Sequence, residues 1–345
     1  MTSDLAAFAV TIIAVIALGP LSRRFDLLDR PGGRKIHDGE IPLTGGLAMA
    51  LGLIAGTCLK PELRSSAEVL SFSGVAIALL LVGIVDDTRR LSPRIRIVAT
   101  MLIAMLLVRM ERYQLSNLGD LLGLGEISTG FLAIPFTLFC IVGVVNALNM
   151  ADGVDGLAGC LSLVALVAIA LLSAASGEIQ LLALIRILIA VVLAFLCFNA
   201  RTPFRKRATV FMGDGGSMFL GFALGALLIG LSQSAPGQAR VIAPATALWL
   251  LALPLMDSVT LLIRRMLSGR SPFSADREHL HHVLQDAGYT PGQSVFIMLV
   301  LASILALVGV LGQRFGIPEP VMFGGFILLF FIYYIGMQFA QVGSE

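Results

Sequence analysis

The sequence predicts an all-α integral membrane protein with about eleven transmembrane helices, its N-terminus outside and its C-terminus in the cytoplasm. Only 13% of the 345 residues are charged, against roughly 25% in a soluble globular chain. Another 57% are hydrophobic, and the mean hydropathy is +0.92. A water-soluble body of this size would lack the polar residues to cover its surface, so the bilayer is the expected solvent.

Eleven apolar stretches have about the length that a helix needs to cross roughly 30 Å of hydrocarbon. They are residues 5–21, 42–59, 68–85, 93–108, 131–149, 157–174, 181–199, 216–232, 242–263, 294–313 and 321–341. The fourth is the weakest, because Arg94 and Arg96 shorten its apolar part. No linker or low-complexity run divides the chain, so residues 1–345 are expected to form one membrane domain.

The distribution of Lys and Arg predicts the orientation, because cytoplasmic loops are enriched in these residues. The loops after the odd-numbered spans hold 17 of the 24 Lys and Arg, and the loops on the other side hold 6. The polar segments on the cytoplasmic side are expected to form an active site, and they are residues 22–41, 86–94, 150–156, 200–215 and 264–293. The net charge of +2 argues against a nucleic acid partner.

Two adjacent carboxylates, Asp86 and Asp87, follow the third apolar span directly. They repel each other at a membrane boundary unless a cation, nearby arginines or a shared proton offsets the repulsion. Taken alone, the pair fits equally well a solvated loop whose acids balance Arg89 and Arg90.

The segment NALNMADGVDGLAG carries four oxygen-rich side chains between two apolar spans. Asn146, Asn149 and Asp152 share one face if the helix continues, and Asp155 follows beyond Gly153. Amide and carboxylate oxygens suit Mg²⁺ or the ribose and base of a nucleotide. Helix capping explains only one or two of the four.

A third cluster, FMGDGGSMFLG, places Asp214 beside a helix that opens at Gly215. The free N–H groups of a helix N-terminus bind anions, and Asp214 is suited to a metal that neutralises a phosphate. The segment lacks the lysine and spacing of a P-loop.

Two further cytoplasmic segments combine cations with histidines. In SPFSADREHLHHVL, a helix would place His279 and His282 on one face with His281 to the side, and both zinc binding and phosphate binding with Arg277 stay open. In the first loop, a set of basic residues either binds substrate or holds anionic lipid, and that set is Arg34, Lys35 and His37.

These motifs, in the order DRPGGRKIH with IPLTGG, GIVDDTRRLS, NALNMADGVDGLAG, VFMGDGGSMFLG and SPFSADREHLHHVL, resemble the polyprenyl-phosphate N-acetylhexosamine-1-phosphate transferases. The histidine segment is most similar to members that use UDP-GlcNAc and undecaprenyl phosphate. The resemblance implies transfer of GlcNAc-1-phosphate, with release of UMP and formation of undecaprenyl-diphosphate-GlcNAc, as the first lipid-linked step of surface polysaccharide synthesis in a bacterial inner membrane. Another UDP-N-acetylated amino sugar is the alternative donor.

The resemblance also implies roles for individual residues. Asp86 and Asp87 would be the catalytic pair, and Asn149 and Asp214 would bind Mg²⁺, for which Mn²⁺ is a substitute. Substrate binding would fall to Arg34, Lys35, His37, Asn146, Asp152, Asp155, Arg264, Arg265, Arg277, His279, His281 and His282. The implied partners are a UDP-amino sugar, undecaprenyl phosphate and membrane lipids, and a homodimer stays open. One departure is Arg94, where relatives often have Lys, and the two cations differ in geometry.

The chemistry favours direct attack of the lipid phosphate on the β-phosphorus. A phosphate monoester is largely ionised near neutral pH, since its second pKa is about 6. The harder task is to bring two anions together, which fixed cations and a metal achieve. One member of the Asp86–Asp87 pair would then remove the residual proton while the other orients it. A covalent aspartyl intermediate is the rival mechanism.

A secondary transporter is the competing class, because intramembrane acids carry protons or ions in such proteins. Asp257, inside the ninth span, is the one residue that fits a transporter better. The other acids gather at one face, which favours an enzyme, and Asp257 is expected at the cytoplasmic end of its helix, facing the site.

Overall fold

The computed structural model describes residues 2–30, 39–202, 204–233, 240–272 and 278–342. Most of these residues are helical, in helices α1 (Thr2–Arg24), α2 (Gly45–Cys58), α3 (Pro61–Arg64), α4 (Ala67–Arg89), α5 (Pro93–Val108), α6 (Ala133–Ala151), α7 (Leu157–Ser173), α8 (Ile179–Asn199), α9 (Gly213–Ser232), α10 (Pro244–Leu250), α11 (Ala252–Leu267), α12 (Leu280–Asp286), α13 (Pro291–Arg314) and α14 (Glu319–Val342). Strands β1 (Leu28–Asp29) and β2 (Ile41–Pro42) pair antiparallel, with Leu28 opposite Pro42.

Among the described residues, 7 helices are long and apolar enough to cross a membrane, or 8 if the bent pair α10 and α11 is one span. The 7 are α1, α4, α6, α8, α9, α13 and α14. Helices α2 and α7 are apolar but shorter, with 14 and 17 residues. Every predicted apolar stretch coincides with a helix or a helix pair, which confirms a helical multi-pass membrane protein. The count of eleven crossings and the orientation stay predictions.

The predicted span 242–263 is two helices rather than one. α10 and α11 meet at Leu251 and are bent by 84° relative to each other. Pro254 lies in the first turn of α11, where its missing N–H leaves no intrahelical bond unmade. A new helix therefore begins where a continuous span was expected.

Helix α9 forms the centre of the bundle, and every residue in it except Asp214 is buried. It packs most extensively against α4 and α6, and glycines allow the close approach. A Cβ built on Gly83 of α4 would overlap the backbone of Gly215, and one built on Gly221 would lie 2.7 Å from Cα of Val145 in α6. Small residues let helix backbones approach closely in membranes, so the position of α9 is set by backbone contact.

The ends of the helices near α9 are fixed by local sequence. α4 ends at Arg89, because the next residue, Arg90, has a φ of +50° and stops the helix. α5 begins at Pro93 and is capped by Ser92, whose Oγ accepts a hydrogen bond from the Ile95 N–H. This tight turn holds the C-terminal end of α4 beside the N-terminal end of α9.

The opposite end of the bundle is held together by a half-buried polar cluster. Arg112 pairs with Glu68 at 3.3 Å and with Glu178 at 2.8 Å, which joins the N-terminal ends of α4 and α8. Tyr113 is 1% exposed and donates its hydroxyl to Oε1 of Glu68 at 2.9 Å. Burial, followed by the negative charge of Glu68, raises the pKa of Tyr113, so its hydroxyl keeps the proton that it donates.

Candidate active site

Three helix ends meet at one end of the bundle and bring together Asp87, Asn149 and Asp214. Asn149, near the end of α6, donates its Nδ2 to Oδ1 of Asp214 at 2.6 Å and to Oγ of Ser217 at 2.9 Å. Asp87, near the end of α4, accepts from the backbone N–H of Asp214 at 3.0 Å and of Gly215 at 3.4 Å. The first N–H groups of a helix lack intrahelical acceptors, and the Asp87 carboxylate supplies acceptors for two of them at the N-terminus of α9.

Asp86 has a different environment from Asp87. It is 6% exposed, and its Oδ1 accepts from the Leu91 N–H at 2.7 Å. Its Oδ2 accepts from Nη1 of Arg96 at 3.2 Å. Asp86 therefore holds the turn between α4 and α5, while Asp87 faces α9.

The connection between α6 and α7 carries two further carboxylates. Asp152 caps the end of α6 and is half-buried. Burial, followed by the negative charges of Asp214, Asp87 and Asp155, raises the pKa of Asp152 well above its usual value. Asp155 accepts from Nε of Arg201 at 2.8 Å and from the Ala208 N–H at 3.1 Å, so it fastens this connection to Arg201 and Ala208.

Asn146 lies one turn before Asn149 on α6. Its Nδ2 donates to the carbonyl oxygen of Val142 at 2.9 Å within the same helix. No described residue donates to its Oδ1, which is an acceptor available to a ligand.

The side chains of Asn149 and Asp214 suit Mg²⁺, which needs few protein ligands, better than a metal ion that protein side chains coordinate completely. Within the described ranges, no group of three or more His, Cys, Asp or Glu is arranged to hold a metal ion. Mg²⁺ commonly keeps several waters and takes one or two carboxylates together with substrate phosphates. Asp214 and the Oδ1 of Asn149 supply such ligands. Burial is the main cause of the raised pKa of Asp152, and the repulsion from Asp214, Asp87 and Asp155 that adds to it is of the kind that a cation offsets.

The three histidines form one cluster of rings. The ring of His281 stacks on that of His279, with centroids 5.4 Å apart and planes at 10°, and lies 4.1 Å from that of His282. The expectation that His281 lies to the side was wrong. α12 begins at Leu280, so His279 precedes the helix with extended backbone, and its ring turns back over the first turn.

The histidine cluster touches the connection that carries Asp152. A Cβ built on Gly153 would lie 3.0 Å from Nε2 of His281, which is 1% exposed. Leu280 and Leu284 of α12 pack on an apolar cluster that includes Ala151 at the end of α6. The imidazoles and the acidic groups therefore border one site.

Asp257 joins the histidine cluster to two other helices. Its Oδ2 accepts from Nδ1 of His279 at 2.8 Å, and its Oδ1 accepts from the Leu280 N–H at 3.0 Å and from the hydroxyl of Tyr333 in α14 at 2.8 Å. Sequence reasoning expected Asp257 to face the site. It missed Tyr333, which no motif singles out.

The two arginines at the end of α11 bind protein groups. Arg264 pairs with Glu278 at 3.3 Å, and Arg265, which is 6% exposed, donates to the carbonyl oxygen of Pro272 at 2.8 Å. These contacts tie Pro272 and Glu278 to the end of α11. The remaining predicted substrate-binding residues lie outside the described residues, and they are Arg34, Lys35, His37 and Arg277.

Comparison with known proteins places this site in a family. Residues 69–232 match the model of glycosyl transferase family 4. The undecaprenyl-phosphate alpha-N-acetylglucosaminyl 1-phosphate transferase of Pasteurella multocida is 35% identical, over 96% of this chain and 92% of the relative. Proteins of the same name from Haemophilus influenzae and Escherichia coli strain K12 are both 34% identical, over 96% of this chain and 92% and 89% of the relatives. The chain belongs to the polyprenyl-phosphate N-acetylhexosamine-1-phosphate transferase family.

Membership in the transferase family confirms the resemblance stated from the five motifs. The segment that matches glycosyl transferase family 4 runs through α4 to α9 and contains Asp87, Asn149 and Asp214. Asp257 and the histidines lie C-terminal to that segment. The transferase family accounts for the acids at one end of the bundle, so the transporter alternative is set aside.

Proposed function

We propose that the chain transfers GlcNAc-1-phosphate from UDP-GlcNAc to undecaprenyl phosphate, releasing UMP and forming undecaprenyl-diphosphate-GlcNAc. The observation that carries the proposal is the meeting of Asp87, Asn149 and Asp214 at the N-terminus of a buried helix, in a chain that belongs to this family. The names of its relatives supply the sugar and the lipid.

In the proposed reaction, an oxygen of the lipid phosphate attacks the β-phosphorus of the UDP-sugar. A new phosphorus–oxygen bond forms, the bond from the β-phosphorus to the bridging oxygen breaks, and UMP leaves with that oxygen. The residues must hold two anions in line, because positioning and charge neutralisation dominate catalysis of phosphoryl transfer. Asn149 and Asp214 would hold Mg²⁺, or Mn²⁺ in its place, which when bound supplies positive charge beside the phosphates.

The two adjacent acids divide the remaining work. Asp87 borders the site and removes the residual proton from the acceptor phosphate. Asp86 holds the turn after α4 through its hydrogen bonds with Leu91 and Arg96. This turn keeps the end of α4, and with it Asp87, oriented. The attack is direct and has no covalent aspartyl intermediate.

The nucleotide sugar lies between the α6–α7 connection and the histidine cluster. Asn146 and Asp152 bind the nucleoside, while Asp155 keeps the connection in place through Arg201. The three histidines contact the diphosphate and the sugar. Their ring cluster lies against Gly153, which places imidazole nitrogens beside the acidic site.

The orientation follows from the charges. The site is at the end of the bundle where most Lys and Arg lie, so it faces the cytoplasm of a bacterium, with the N-terminus outside and the C-terminus inside. The chain is one domain in the inner membrane with all eleven apolar stretches crossing it. Its product serves surface polysaccharide synthesis.

The test is purified protein with undecaprenyl phosphate, Mg²⁺ and a panel of UDP-sugars, with UMP release and lipid product as readouts. We expect UDP-GlcNAc to be the preferred donor, EDTA to abolish turnover, and Mg²⁺ or Mn²⁺ to restore it. Preference for another UDP-N-acetylated amino sugar would correct the donor. Absence of UMP release with every donor would overturn the function.

The direct mechanism has its own test. Protein mixed with UDP-GlcNAc alone should release no stoichiometric UMP, and both substrates should bind before any product leaves. A stable phospho-enzyme, or ping-pong kinetics with UMP released before lipid binds, would replace direct attack with the covalent route.

A further inference from the structure

The Asp257 carboxylate is a buried junction between three elements. It lies in α11, is 6% exposed, and accepts hydrogen bonds from His279, Leu280 and Tyr333. His279 precedes α12 and Tyr333 lies near the middle of α14. One carboxylate therefore fixes an imidazole, the start of α12 and a tyrosine of the last helix.

This junction fixes which nitrogen of His279 is available. An ionised carboxylate only accepts hydrogen bonds, so Nδ1 carries the proton that it donates to Asp257. The other ring nitrogen, Nε2, is then the one that can contact a substrate. Orientation of a functional histidine by a carboxylate is the arrangement used around catalytic and metal-bound imidazoles.

Tyr333 fixes the carboxylate in turn. Its hydroxyl donates to the same oxygen, Oδ1, that accepts from Leu280, so Oδ2 is directed to His279. Its ring packs on the apolar clusters beneath α12 and between α10 and α14. Rotation of the carboxylate would break the two hydrogen bonds at Oδ1 as well as the one to His279.

We propose that Asp257 and Tyr333 are positioning residues that hold Nε2 of His279 toward the diphosphate of the UDP-sugar. The inference rests on the proposed function and deepens it, since it assigns a substrate-orienting role to the last helix. His279 stacks on His281, and His281 lies against Gly153. These contacts place the oriented imidazole next to the α6–α7 connection.

The test compares Tyr333→Phe and Asp257→Asn with Tyr334→Phe as the matched control. Tyr334 is the next residue of α14, and its ring contacts Phe330. Loss of an orienting partner commonly costs about tenfold or more, so both test variants should raise the KM for UDP-GlcNAc about tenfold. We expect the KM for undecaprenyl phosphate to stay unchanged and kcat to fall less than threefold. Tyr334→Phe should match the wild type.

A double-mutant cycle separates positioning from a merely structural role. In a His279→Ala background, Tyr333→Phe should have no further effect on the KM for UDP-GlcNAc. An undiminished effect there, or an equal change in the KM of both substrates, would overturn the proposal. Since Asp257→Asn can fail to fold, Tyr333→Phe alone decides, with thermal unfolding showing that it is folded.

Binding of UDP by calorimetry keeps this test distinct from that of the proposed function. Tyr333→Phe should weaken UDP binding about tenfold, whatever sugar the enzyme transfers. Unchanged UDP affinity with normal wild-type turnover would remove the positioning role and leave the function standing. A wild type that binds UDP but transfers no GlcNAc-1-phosphate would remove the function alone.

Discussion

Asp86 and Asp87 enter different environments because successive residues of a helix project about 100° apart. Asp86 contacts Leu91 and Arg96, whereas Asp87 contacts the first N–H groups of α9. Substitution of Asp86 and substitution of Asp87 should therefore have different effects on activity and stability.

Asp87→Asn should lower kcat by about 100-fold or more, because it removes the group that takes the acceptor's proton. Thermal unfolding in detergent should stay near that of the wild type, since the asparagine oxygen still accepts from the Asp214 N–H and only the longer bond from Gly215 is lost. Steady-state kinetics with saturating substrates measures the first quantity. A kcat above about a tenth of the wild-type value would contradict the role given to Asp87.

Asp86→Asn should instead reduce stability as well as activity. It removes the charge that Arg96 pairs with, and a hydrogen bond to a charged group contributes about 1.5–3 kcal/mol. Thermal unfolding of the single variants and of Asp86→Asn combined with Arg96→Gln measures this. We expect the double variant to be less destabilised than the two single variants together, and strict additivity would argue against the pair.

Gly153→Ala tests the contact between the α6–α7 connection and the histidines. The new methyl would lie 3.0 Å from Nε2 of His281, so the ring must move by a few tenths of an ångström. Misplacement of a binding group is costly, and we expect the KM for UDP-GlcNAc to rise several-fold, up to about tenfold. Gly143→Ala in α6, with no outside atom within 4 Å, is the control. Equal KM values for the two variants would count against the histidine contact.

At the scale of elements, the packing of α4 on α9 determines where Asp87 meets Asp214. Gly83→Ala should force the two helices apart, because its methyl would overlap the backbone of Gly215. Overpacking of this kind costs about 1–3 kcal/mol, so thermal stability and kcat should both fall.

Gly74→Ala is the control on the same helix. Gly74 is exposed and has no outside atom within 4 Å. It should retain wild-type stability and turnover. If Gly83→Ala behaved like Gly74→Ala, the glycine contact would not be what positions α9.

The elements themselves could be predicted because apolar length is a local property of the sequence. Each predicted stretch coincides with helix, including the 16 residues of α5 with Arg94 and Arg96. The 84° bend at Leu251 could not be predicted, because hydropathy averaged along the chain contains no direction. The positions of the histidine rings could not be predicted from helical spacing, because α12 begins at Leu280 and His279 precedes it with extended backbone.

At the scale of the whole molecule, the orientation predicts which loops face the cytoplasm. In a cysteine-free chain, Ser268→Cys at the site end should react with a membrane-impermeant maleimide only from the cytoplasmic side. Ser65→Cys, at the opposite end, should react only from outside. Both serines are exposed. The reverse pattern in sealed vesicles of known sidedness would invert the topology.

The site could be predicted as far as its motifs reach along the chain. Ordered polar segments identified Asn149, Asp152 and Asp214 as candidates, and the structure brings them to one end of the bundle. Tyr333 was missed, because its pairing with Asp257 depends on how α14 packs beside α11 and leaves no local pattern. Contacts between elements distant in sequence are the part that motifs do not contain.

Because α9 is buried, changes in the thickness of the bilayer do not act directly on the reacting groups. Changes in bilayer thickness tilt or strain the helices that face acyl chains. Most of the apolar part of α14 is exposed, whereas the apolar part of α9 is fully buried within the bundle. Thickness therefore reaches Asp214 only through the surrounding helices, while it acts directly on the helix that carries Tyr333. Hydrophobic mismatch should accordingly disturb the orientation of the imidazole before it disturbs the carboxylates.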